Sequence, residues 1–514
     1  MSVLILSPNG KTTKKATLAD AVAAADVVGK TIVVTTPITI DNVTIPATVA
    51  IEQRKGGIIT VNSGKILTIN GPDVTKGLFL RFDGSGSVKF GTGAVSEVYP
   101  EWWVLNTNPG TTDVSLALQA AINSVVGIPI ILTAVEYFSS VSLSLPTGTN
   151  IKGKGQYLCR LVFDDTDGLV ATETGYIVLR DLEVVMLVPH TTTPNTKAGI
   201  YLNGSITTRT QNNVLENVFI NGFRDGVVAD WIDASTFSRV HTYLVKNGLI
   251  SSGLSINNNI HGCHFVGDVS TDGYGISFVG PTPSEGWMIS DNLIYGFGIG
   301  VLGVGMSHVY LNNNIIDASV VNGVQLAPIS GSPCENWRIT NNFIAVTCAN
   351  SGYGIVDISN VAGSAGNVGH LIMGNHVLTY GAGVMARGID VSAGNHETHT
   401  IIGNTVNGTS EYDIAANSPS IVNDNVCKST LAANIIGGSI VNNNTGTVYY
   451  ARAAYKQRIG DMTITYDEAI PTTGTWKVGD VCHKVNPTAG GTPGWVCTAS
   501  GSPGTWKAMA NLAA

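Results

Sequence analysis

Apolar residues recur at fixed positions between about residue 210 and residue 446. Each recurrence reads as an apolar residue, two variable residues, Asn, one variable residue and a second apolar residue. The residues in the Asn slot are Asn217, Cys263, Asn292, Asn314, Asn342, Asn375, Asn404, Asn425 and Asn444. A second pattern, Gly-apolar-x-apolar, follows most slots and begins at Gly226, Gly275, Gly298, Gly323, Gly354 and Gly388. Both patterns alternate with a period of two, which predicts β-strands.

The spacing of the repeats indicates how these strands are arranged. The seven steps from Cys263 to Asn444 average about 26 residues, a length typical of leucine-rich repeats and of β-helices. The leucine-rich frame is missing, and an Asn at a bend can hydrogen-bond neighbouring backbone and adopt left-handed conformations. We therefore predict an all-β fold, a single-stranded parallel β-helix, in which residues at equal positions of successive coils stack about 4.8 Å apart.

The residue after each Asn slot is often apolar, and we expect it to point away from the coil. These residues are Val218, His264, Leu293, Ile315, Phe343, His376, Thr405 and Val426. Pointing outwards, they give one face of the rod an apolar stripe, which indicates a partner surface and favours a closed homo-oligomer. The alternative is that the alternation has the opposite phase, so that these side chains point into the coil and belong to the core.

Segments with other patterns flank the repeats. Residues 1–100 contain short strand patterns, and residues 101–146 contain a cap helix that begins near Thr111 and the segment that leads into the first coil. Residues 147–450 form the predicted β-helix. Residues 451–514 look like a separate small β module with a capping or carbohydrate-binding role. Its Trp476, Trp495 and Trp506 either stack on sugar rings or form the core of the module.

Composition narrows the classes of function. Only 12% of the 514 residues are charged and the net charge is −8, so the chain lacks the basic surface that nucleic-acid binding requires. No apolar stretch approaches the ~20 residues of a membrane span, and the N-terminus has no signal-peptide pattern. We expect synthesis in the cytoplasm and no membrane insertion. The seven Cys form no C-x-x-C pair, which favours buried thiols, although Cys482 and Cys497 could pair.

Residues 97–155 carry a family resemblance. The matching residues are Asp113, Gln119, Ala120, Ala121 and Ile122 in a cap helix, and Gly148, Ile151, Gly153 and Gly155 in an apolar first coil. The segment between them departs from the family pattern, because Thr133, Ala134 and Val135 stand where Pro-x-Gly is usual. With these features the chain resembles the pectate-lyase-like β-helix family, which includes bacteriophage tailspikes and depolymerases of capsule or O-antigen.

The resemblance implies a right-handed β-helix that assembles as a homotrimer and binds, and usually cleaves, a bacterial surface polysaccharide. It places the protein on the virion tail or, after release, outside the cell. The catalytic motifs of the better-marked family members are missing, and we expect no cofactor and no metal. We therefore expect the chemistry to come from carboxylates that coil stacking brings together, one acting as acid and one as base or nucleophile.

The first candidate group of carboxylates lies late in the repeats. It is made up of Asp357, Asp390, Glu335, Trp337, Arg387 and Glu397. Asp357 and Asp390 occupy nearly the same strand position in successive coils. We predict Asp390 or Glu335 as the acid and Asp357 as the base or nucleophile. Trp337 and Arg387 are predicted to bind substrate. The alternation can also turn Asp357 inwards.

The second candidate group is the second choice. It contains the predicted catalytic residues Asp230, Asp233 and Glu285 and the predicted substrate-binding residues Trp231 and Trp287. Either group could instead consist of solvated loop carboxylates. We predict a glycoside hydrolase that depolymerises capsule or O-antigen. The alternatives are a polysaccharide lyase, which needs a base beside a uronate, and a non-catalytic receptor-binding spike or adhesin.

Overall fold

A computed structural model of the chain describes residues 3–513 apart from 8, 26–28, 134–135, 281–283, 330–331, 349–350, 359–366, 381–382, 394–398, 418–419, 432–434, 438–439, 443, 446–447, 450–455 and 460–461. Glu397 therefore lies outside the described residues. The α-helices are Leu18–Ala25 and Ser115–Ser124, and Pro100–Trp102 is a 3-10 helix. No helix in the described ranges is both long enough and apolar enough to span a membrane.

The repeats wind as a right-handed parallel β-helix, and most coils contribute two strands to a first sheet, one on each side of the Asn bend. The pre-bend strands are Pro129–Ile131, Asn150–Lys152, Thr236–Ser238, Asn259–His261, Met288–Ser290, Tyr310–Asn312, Arg338–Thr340, Leu371–Met373, Thr400–Ile402, Ile421–Asn423 and Ile440–Asn442. The post-bend strands are Glu136–Ser139, Arg160–Phe163, His241–Val245, His264–Gly267, Leu293–Tyr295, Ile315–Ser319, Phe343–Val346, His376–Thr379, Thr405–Val406 and Val426–Cys427. In two coils a single strand, Val178–Met186 or Val214–Asn221, covers both positions.

A second sheet closes each coil. Its strands are Leu143–Ser144, Leu169–Thr172, Ala198–Asn203, Asp225–Asp230, Asn247–Ser251, Tyr274–Phe278, Ile299–Val304, Asn322–Ala327, Tyr353–Asp357, Met385–Val391, Thr409–Ala416, Ile435–Gly437 and Val448–Tyr449. Thr210–Gln211 and Ile232–Asp233 form a short third side between the second sheet and the next pre-bend strand. The side chains that point into the coil from all sides form one continuous apolar core.

The Asn slot forms the predicted ladder inside the bend. The Nδ2 of Asn314 donates to the Oδ1 of Asn342 (2.9 Å). The Nδ2 of Asn342 donates in turn to the Oδ1 of Asn375 (3.0 Å), and the series continues through Asn444. The residue just before each slot from Cys263 to Asn425 adopts a left-handed conformation, as Asn341 does (φ 57°). Each buried amide therefore satisfies the hydrogen-bonding groups of its neighbours along the axis of the rod.

Asn217 does not belong to this ladder, contrary to the sequence pattern. It has a left-handed conformation (φ 55°), and Val218, which is fully buried, fills the slot. The register that pairs Leu215 with Phe237 confirms this shift of one residue. Ile220 is correspondingly buried and Phe219 takes the outward position.

The outward post-bend residues form a second ladder, which we call the outer column. Parallel pairing connects Glu136, Arg160, Glu183, Phe219, His241, His264, Leu293, Ile315, Phe343, His376, Thr405 and Val426. His264 and His376 are exposed and Ile315 is 47% exposed. The predicted outward phase is therefore confirmed from His264 onwards.

Glycine allows the second sheet to approach the first. A Cβ on Gly323 would lie 2.3 Å from the Cγ2 of Ile344 and 2.6 Å from the carbonyl oxygen of Gly354. The column of such glycines passes through Gly300, because Gly275 faces the Gly300 carbonyl, and not through Gly298 as the sequence pattern suggested. This close approach makes the core narrow at these positions.

The N-terminal region also stacks parallel strands from Thr31–Val34 onwards, whereas Val3–Leu6 pairs antiparallel with both Thr12–Lys15 and Thr31–Val34. Its strands are Val3–Leu6, Thr12–Lys15, Thr31–Val34, Ile38–Ile40, Val43–Ile45, Ala50–Gln53, Ile59–Val61, Ile66–Ile69, Phe82–Asp83 and Ser87–Phe90. The helix Ser115–Ser124 contacts Ser87–Phe90 on one side and Leu143–Ser144 on the other. It therefore covers the open edges of two sheets, which would otherwise invite strand pairing with another chain.

The C-terminal module is a sheet of the strands Lys456–Ile459, Met462–Asp467, Val481–Lys484, Gly494–Ala499 and Thr505–Ala508. Trp476, Trp495 and Trp506 are buried together with Cys482 and Cys497. The tryptophans therefore form the core of the module and offer no exposed rings for sugar stacking. All seven Cys are free and buried.

Candidate functional site

The first predicted group is divided between the two sides of the second sheet. Asp390 pairs with Val356, whereas Asp357 pairs with Leu326. Since successive residues of a strand point to opposite faces, the two carboxylates leave the sheet in opposite directions. Asp357 is 2% exposed, and its carboxylate accepts a hydrogen bond from Asn367 (2.6 Å). The expectation that stacking places Asp357 beside Asp390 is therefore wrong by one residue.

Asp390 instead belongs to a network of ion pairs. It accepts hydrogen bonds from Arg387 (2.8 Å) and from the hydroxyl of Ser392 (2.6 Å). Arg387 also bonds to Glu411 (2.8 Å), so two carboxylates compensate its single charge. An arginine held in this way has fewer donors left for a substrate than the sequence suggested.

Trp337 and Trp287 cannot line a substrate groove, because both are fully buried. The indole of Trp337 donates to the carbonyl of Met306 (3.0 Å) and fills the space beside Gly303, where a Cβ would lie 2.3 Å from the ring. Trp287 packs edge-on against Phe278 at 4.7 Å. Their predicted role in binding is wrong because the space beneath the second sheet takes the largest apolar side chains.

Three carboxylates from the two predicted groups lie along a single line. Parallel bridges on the short third side connect Asp233, Ile256, Glu285, Ser307, Glu335 and Val368 in successive coils. Asp233 and Glu285, and likewise Glu285 and Glu335, are thus two coils apart, about 9.6 Å. Arg209 binds both oxygens of Asp233 (2.9 and 3.0 Å), and Glu285 is exposed.

Asp230 and Trp231 occupy the corner before this third side. Burial raises the pKa of Asp230, although its carboxylate accepts a hydrogen bond from the backbone of Ser252 (2.7 Å). Trp231 is half-buried and left-handed (φ 53°), and its ring covers Gly253, where a Cβ would lie 2.3 Å from the indole nitrogen. The ring therefore packs against the next coil.

A site that the sequence did not suggest lies at the N-terminal end of the outer column. Tyr157, Arg160, Glu183, Phe219, Asn221, His241 and Tyr243 line an open groove of about 510 Å³. We call it the glutamate groove, and we include Glu136, the residue below Arg160 in the same column. It combines paired carboxylates with exposed aromatic rings, which are the elements of a saccharide-processing site.

One guanidinium contacts both glutamates. The Nη1 of Arg160 donates to Glu136 at 2.6 Å. Its Nε lies 3.4 Å from an oxygen of Glu183 but makes no hydrogen bond. Arg160 therefore neutralises Glu136 more completely than Glu183, and the two carboxylates have different electrostatic environments.

Glu183 is the carboxyl whose acidity is most changed by this arrangement. Its side chain is 5% exposed, in contrast to 29% for Glu136. Burial raises the pKa of Glu183; the charge of Arg160 opposes this effect and the charge of Glu136 adds to it. A carboxylic acid that keeps its proton at higher pH is the type of group that serves as a general acid.

Aromatic rings form the wall of the groove. Tyr157 is 57% exposed and its ring lies 4.8 Å from that of Phe219, which in turn contacts His241 edge-on at 4.7 Å. Tyr243, 43% exposed, stands two residues further along the strand from His241. Burial, together with the charge of His264, lowers the pKa of His241 to about 4. His241 is therefore a neutral base at neutral pH.

Two local features position the groove. The loop that carries Tyr157 begins at Gly153, where a Cβ would lie 2.2 Å from the carbonyl of Asp181. The same loop reaches along the rod, since Gln156 donates to the carbonyl of Arg239 (3.3 Å). The sequence held one signal for this site, a glutamate at position 183 within the apolar run of the strand Val178–Met186. Without the register, its outward direction could not be assigned.

In the ranges that the structure describes, no three His, Cys, Asp or Glu side chains are grouped so that they could hold a metal ion. In the glutamate groove, the carboxyls of Glu183 and Glu136 can transfer protons and the guanidinium of Arg160 can stabilise negative charge.

No protein-family model matches the chain, and no curated protein matches it in sequence. Solved structures do resemble it. A tailspike protein of E. coli bacteriophage HK620, in complex with a pentasaccharide, is 12% identical over 69% of this chain and 72% of its own (TM-score 0.49). The A-module of the Azotobacter vinelandii mannuronan C-5 epimerase AlgE4 is 14% identical over 66% and 93% (0.42). The Streptococcus pneumoniae surface protein and adhesin PfbA is 11% identical over 67% and 97% (0.42). At such identities the likeness concerns the fold alone, so function has to be argued from the site.

Proposed function

We propose that the protein hydrolyses glycosidic bonds of a polysaccharide in the glutamate groove, with Glu183 as general acid and Glu136 as base. The observation that carries this proposal is the difference between the two carboxyls. Glu183 is buried with a raised pKa, whereas Glu136 is half-exposed and hydrogen-bonded to Arg160. Glycoside hydrolases need such a pair, one protonated and one charged.

The proposed reaction uses both groups in one step. Glu183 donates its proton to the glycosidic oxygen, and the bond from that oxygen to the anomeric carbon breaks. Glu136 accepts a proton from a water molecule whose oxygen bonds to the anomeric carbon. Arg160 stabilises the charge that grows on Glu183. The two residues are two coils apart, about 9.6 Å between backbones, and the guanidinium of Arg160 contacts both of their carboxyl groups.

The substrate we propose is a bacterial surface polysaccharide, capsule or O-antigen, and we place the protein on a phage tail. The support from the similar structures is that they include a bacteriophage tailspike protein and an enzyme that modifies a polysaccharide. Sugar rings would stack on Tyr157 and Tyr243, the two most exposed rings of the groove. Such aromatic faces bind the apolar faces of sugar rings while leaving the hydroxyl groups free for hydrogen bonds.

The test is incubation with a panel of purified capsular and O-antigen polysaccharides, followed by mass spectrometry and a reducing-end assay. On a polysaccharide that the wild type cleaves, we expect Glu183→Gln and Glu136→Gln to reduce the rate by roughly 10² to 10⁴. The matched control is Glu216→Gln, a half-exposed glutamate on the pre-bend side of the same sheet that pairs with Arg180 and Arg239. Full activity of Glu183→Gln would contradict the proposal, as would a comparable loss in Asp390→Asn or Asp230→Asn.

A polysaccharide lyase is the second candidate, and the neutral imidazole of His241 favours it. His241 lines the groove with a pKa of about 4, so it could accept the proton next to a uronate carboxyl. The products would then carry a double bond and absorb ultraviolet light. His241→Ala would abolish their formation, whereas a hydrolase gives saturated products. Saturable glycan binding with no product of either kind would indicate a receptor-binding adhesin.

We further propose that the chain forms a homotrimer through the C-terminal half of the outer column. Leu293, Ile315 and Phe343 are successive outward residues there, and Ile315 is 47% exposed. A continuous apolar strip of this kind is unusual on a monomer. Mass photometry should give three times the 53.7 kDa chain mass and a smaller species for Ile315→Glu. A monomeric wild type would contradict the proposal.

A further inference from the structure

A second concave surface lies on the pre-bend side of the first sheet, further along the rod. Its volume is about 690 Å³, and it extends across the strands Met288–Ser290, Tyr310–Asn312 and Arg338–Thr340. We call it the arginine cleft. No residue of the glutamate groove lines it. The two surfaces are therefore distinct.

Arg338 is unusual among the arginines of this chain. It is exposed, and its guanidinium carbon lies 5.3 Å from the centroid of the Tyr310 ring. Of the arginine side chains that the structure describes, the others each lie within ion-pair distance of a carboxylate, whereas Arg338 has no such described partner. Its charge is thus held over an aromatic ring and available to an anion.

The rest of the cleft suits a sugar ring. Its exposed apolar surface comes from Met288 (53%), Tyr310 (44%) and Met373 (38%). Amide and hydroxyl groups surround this surface, from Asn259, Ser290, Asn312 and Thr340. The one carboxylate in the lining, Asp291, lies two coils away from Arg338 at the opposite margin, and it accepts a hydrogen bond from Asn313 (2.6 Å). An apolar floor with polar groups at its edge is the usual composition of a small-ligand site.

We propose that the arginine cleft binds a carboxylate-bearing sugar, a uronate unit of an anionic polysaccharide. The carboxylate pairs with the guanidinium of Arg338, whose planar fork matches two carboxylate oxygens. The sugar ring lies on Tyr310. A neutral glycan would leave the charge of Arg338 unused, so the cleft selects acidic chains.

This inference rests on the proposed function only in that the ligand is a polysaccharide. It narrows the substrate class to polysaccharides that contain uronate units. Arg338 is six coils from the coil of Glu183, about 29 Å along the rod. A chain that occupies both sites must be a polymer. The cleft therefore acts as a remote binding site that holds the polysaccharide while the glutamate groove acts on it.

The experiment is affinity electrophoresis of the full chain through gels that contain polygalacturonate or, as neutral counterpart, dextran. All proteins carry Glu183→Gln, so that cleavage cannot shorten the polymer. We expect polygalacturonate to retard the protein and dextran not to. Arg338→Gln should weaken the apparent affinity about tenfold, Tyr310→Ala should weaken it too, and Arg338→Lys should retain part of it. The matched control is Arg180→Gln, since Arg180 is exposed but paired with Glu216.

Equal retardation of Arg338→Gln and its parent would overturn the inference, as would equal retention by dextran or no retention by polygalacturonate. Far-ultraviolet circular dichroism of each variant confirms that the coil is intact. The readout needs no catalysis. A failure of the proposed function, seen as full activity of Glu183→Gln, is therefore distinguishable from a failure of this site.

Discussion

The inside and the outside of the coil use the same backbone in opposite ways. Inside the bend, one residue type repeats from Asn292 to Asn444, and each amide binds the next. Outside, the outer column changes from Glu136 and Glu183 at its N-terminal end to the apolar residues Leu293, Ile315 and Phe343 further along. Repetition stabilises the rod, whereas variation on a fixed scaffold gives different stretches of it different roles.

The largest effect on stability is expected from breaking the inner ladder. Asn342→Ala removes an amide that donates to Leu311 and Asn375 and accepts from the backbone and side chain of Asn314. Buried partners are then left unsatisfied, so the free energy of unfolding should fall by about 3 kcal/mol. Chemical denaturation measures this fall in the free energy of unfolding. Asn407→Ala, at an exposed position, should cost under about 0.5 kcal/mol; an equal loss in both variants would refute the distinction between inside and outside.

A smaller effect concerns pH and two stacked histidines in the core. Burial, with the charge of His399 adding to it, holds the pKa of His370 well below its usual value, even though the carboxylate of Asp357 lies 3.8 Å from its Nε2. Below a pH of about 6.5 the unfolded chain binds a proton that the folded chain does not, so stability, complete above that pH, declines as the pH falls. Denaturation midpoints measured between about pH 8 and about pH 5, the range in which histidine titrates, give the slope of stability against pH.

The control for this prediction is a variant without the buried imidazole. The Nδ1 of His370 accepts a hydrogen bond from the backbone of Trp337 (3.3 Å), and an Asn side chain can accept the same bond. His370→Asn should therefore fold and show a shallower decline of stability with acid. His376→Asn, at an exposed position of the outer column, should leave the slope unchanged. An unchanged slope in His370→Asn would refute this assignment.

The smallest effect is expected at the wall of the glutamate groove. Tyr243→Ala removes a 43% exposed ring that we expect to stack on a sugar. Loss of about 1 kcal/mol of aromatic contact should raise KM roughly fivefold and change kcat little. Steady-state kinetics with the cleaved polysaccharide provides both values. Tyr380→Ala, which removes a ring of similar exposure outside the groove, should alter neither.

The inner surface explains why the fold was predictable. From Cys263 onwards, the Asn slots, the apolar residues that flank them and the outward residues recur once in every coil, and the structure confirms them. The cap helix was recognisable for a related reason, because its apolar face continues the same core, although it begins at Ser115 and not near Thr111. Because the pattern occurs in many coils, single irregular residues did not prevent the β-helix from being predicted.

The site was less predictable because a strand reverses its faces at every residue. A slip of one position put Asn217 in the ladder in place of Val218 and stacked Asp357 on Asp390. Such a slip moves a side chain from the surface to the core. Glu183 belongs to no repeat, and its relation to Glu136 depends on a register that only the structure provides.

The most direct test of the account is a crystal structure of Glu183→Gln with an oligosaccharide that the wild-type protein releases. We predict that a sugar ring lies between Tyr157 and Tyr243, with its glycosidic oxygen about 3 Å from the amide that replaces the Glu183 carboxylate. An oligosaccharide bound instead beside Asp390 and Arg387, with the glutamate groove empty, would contradict it.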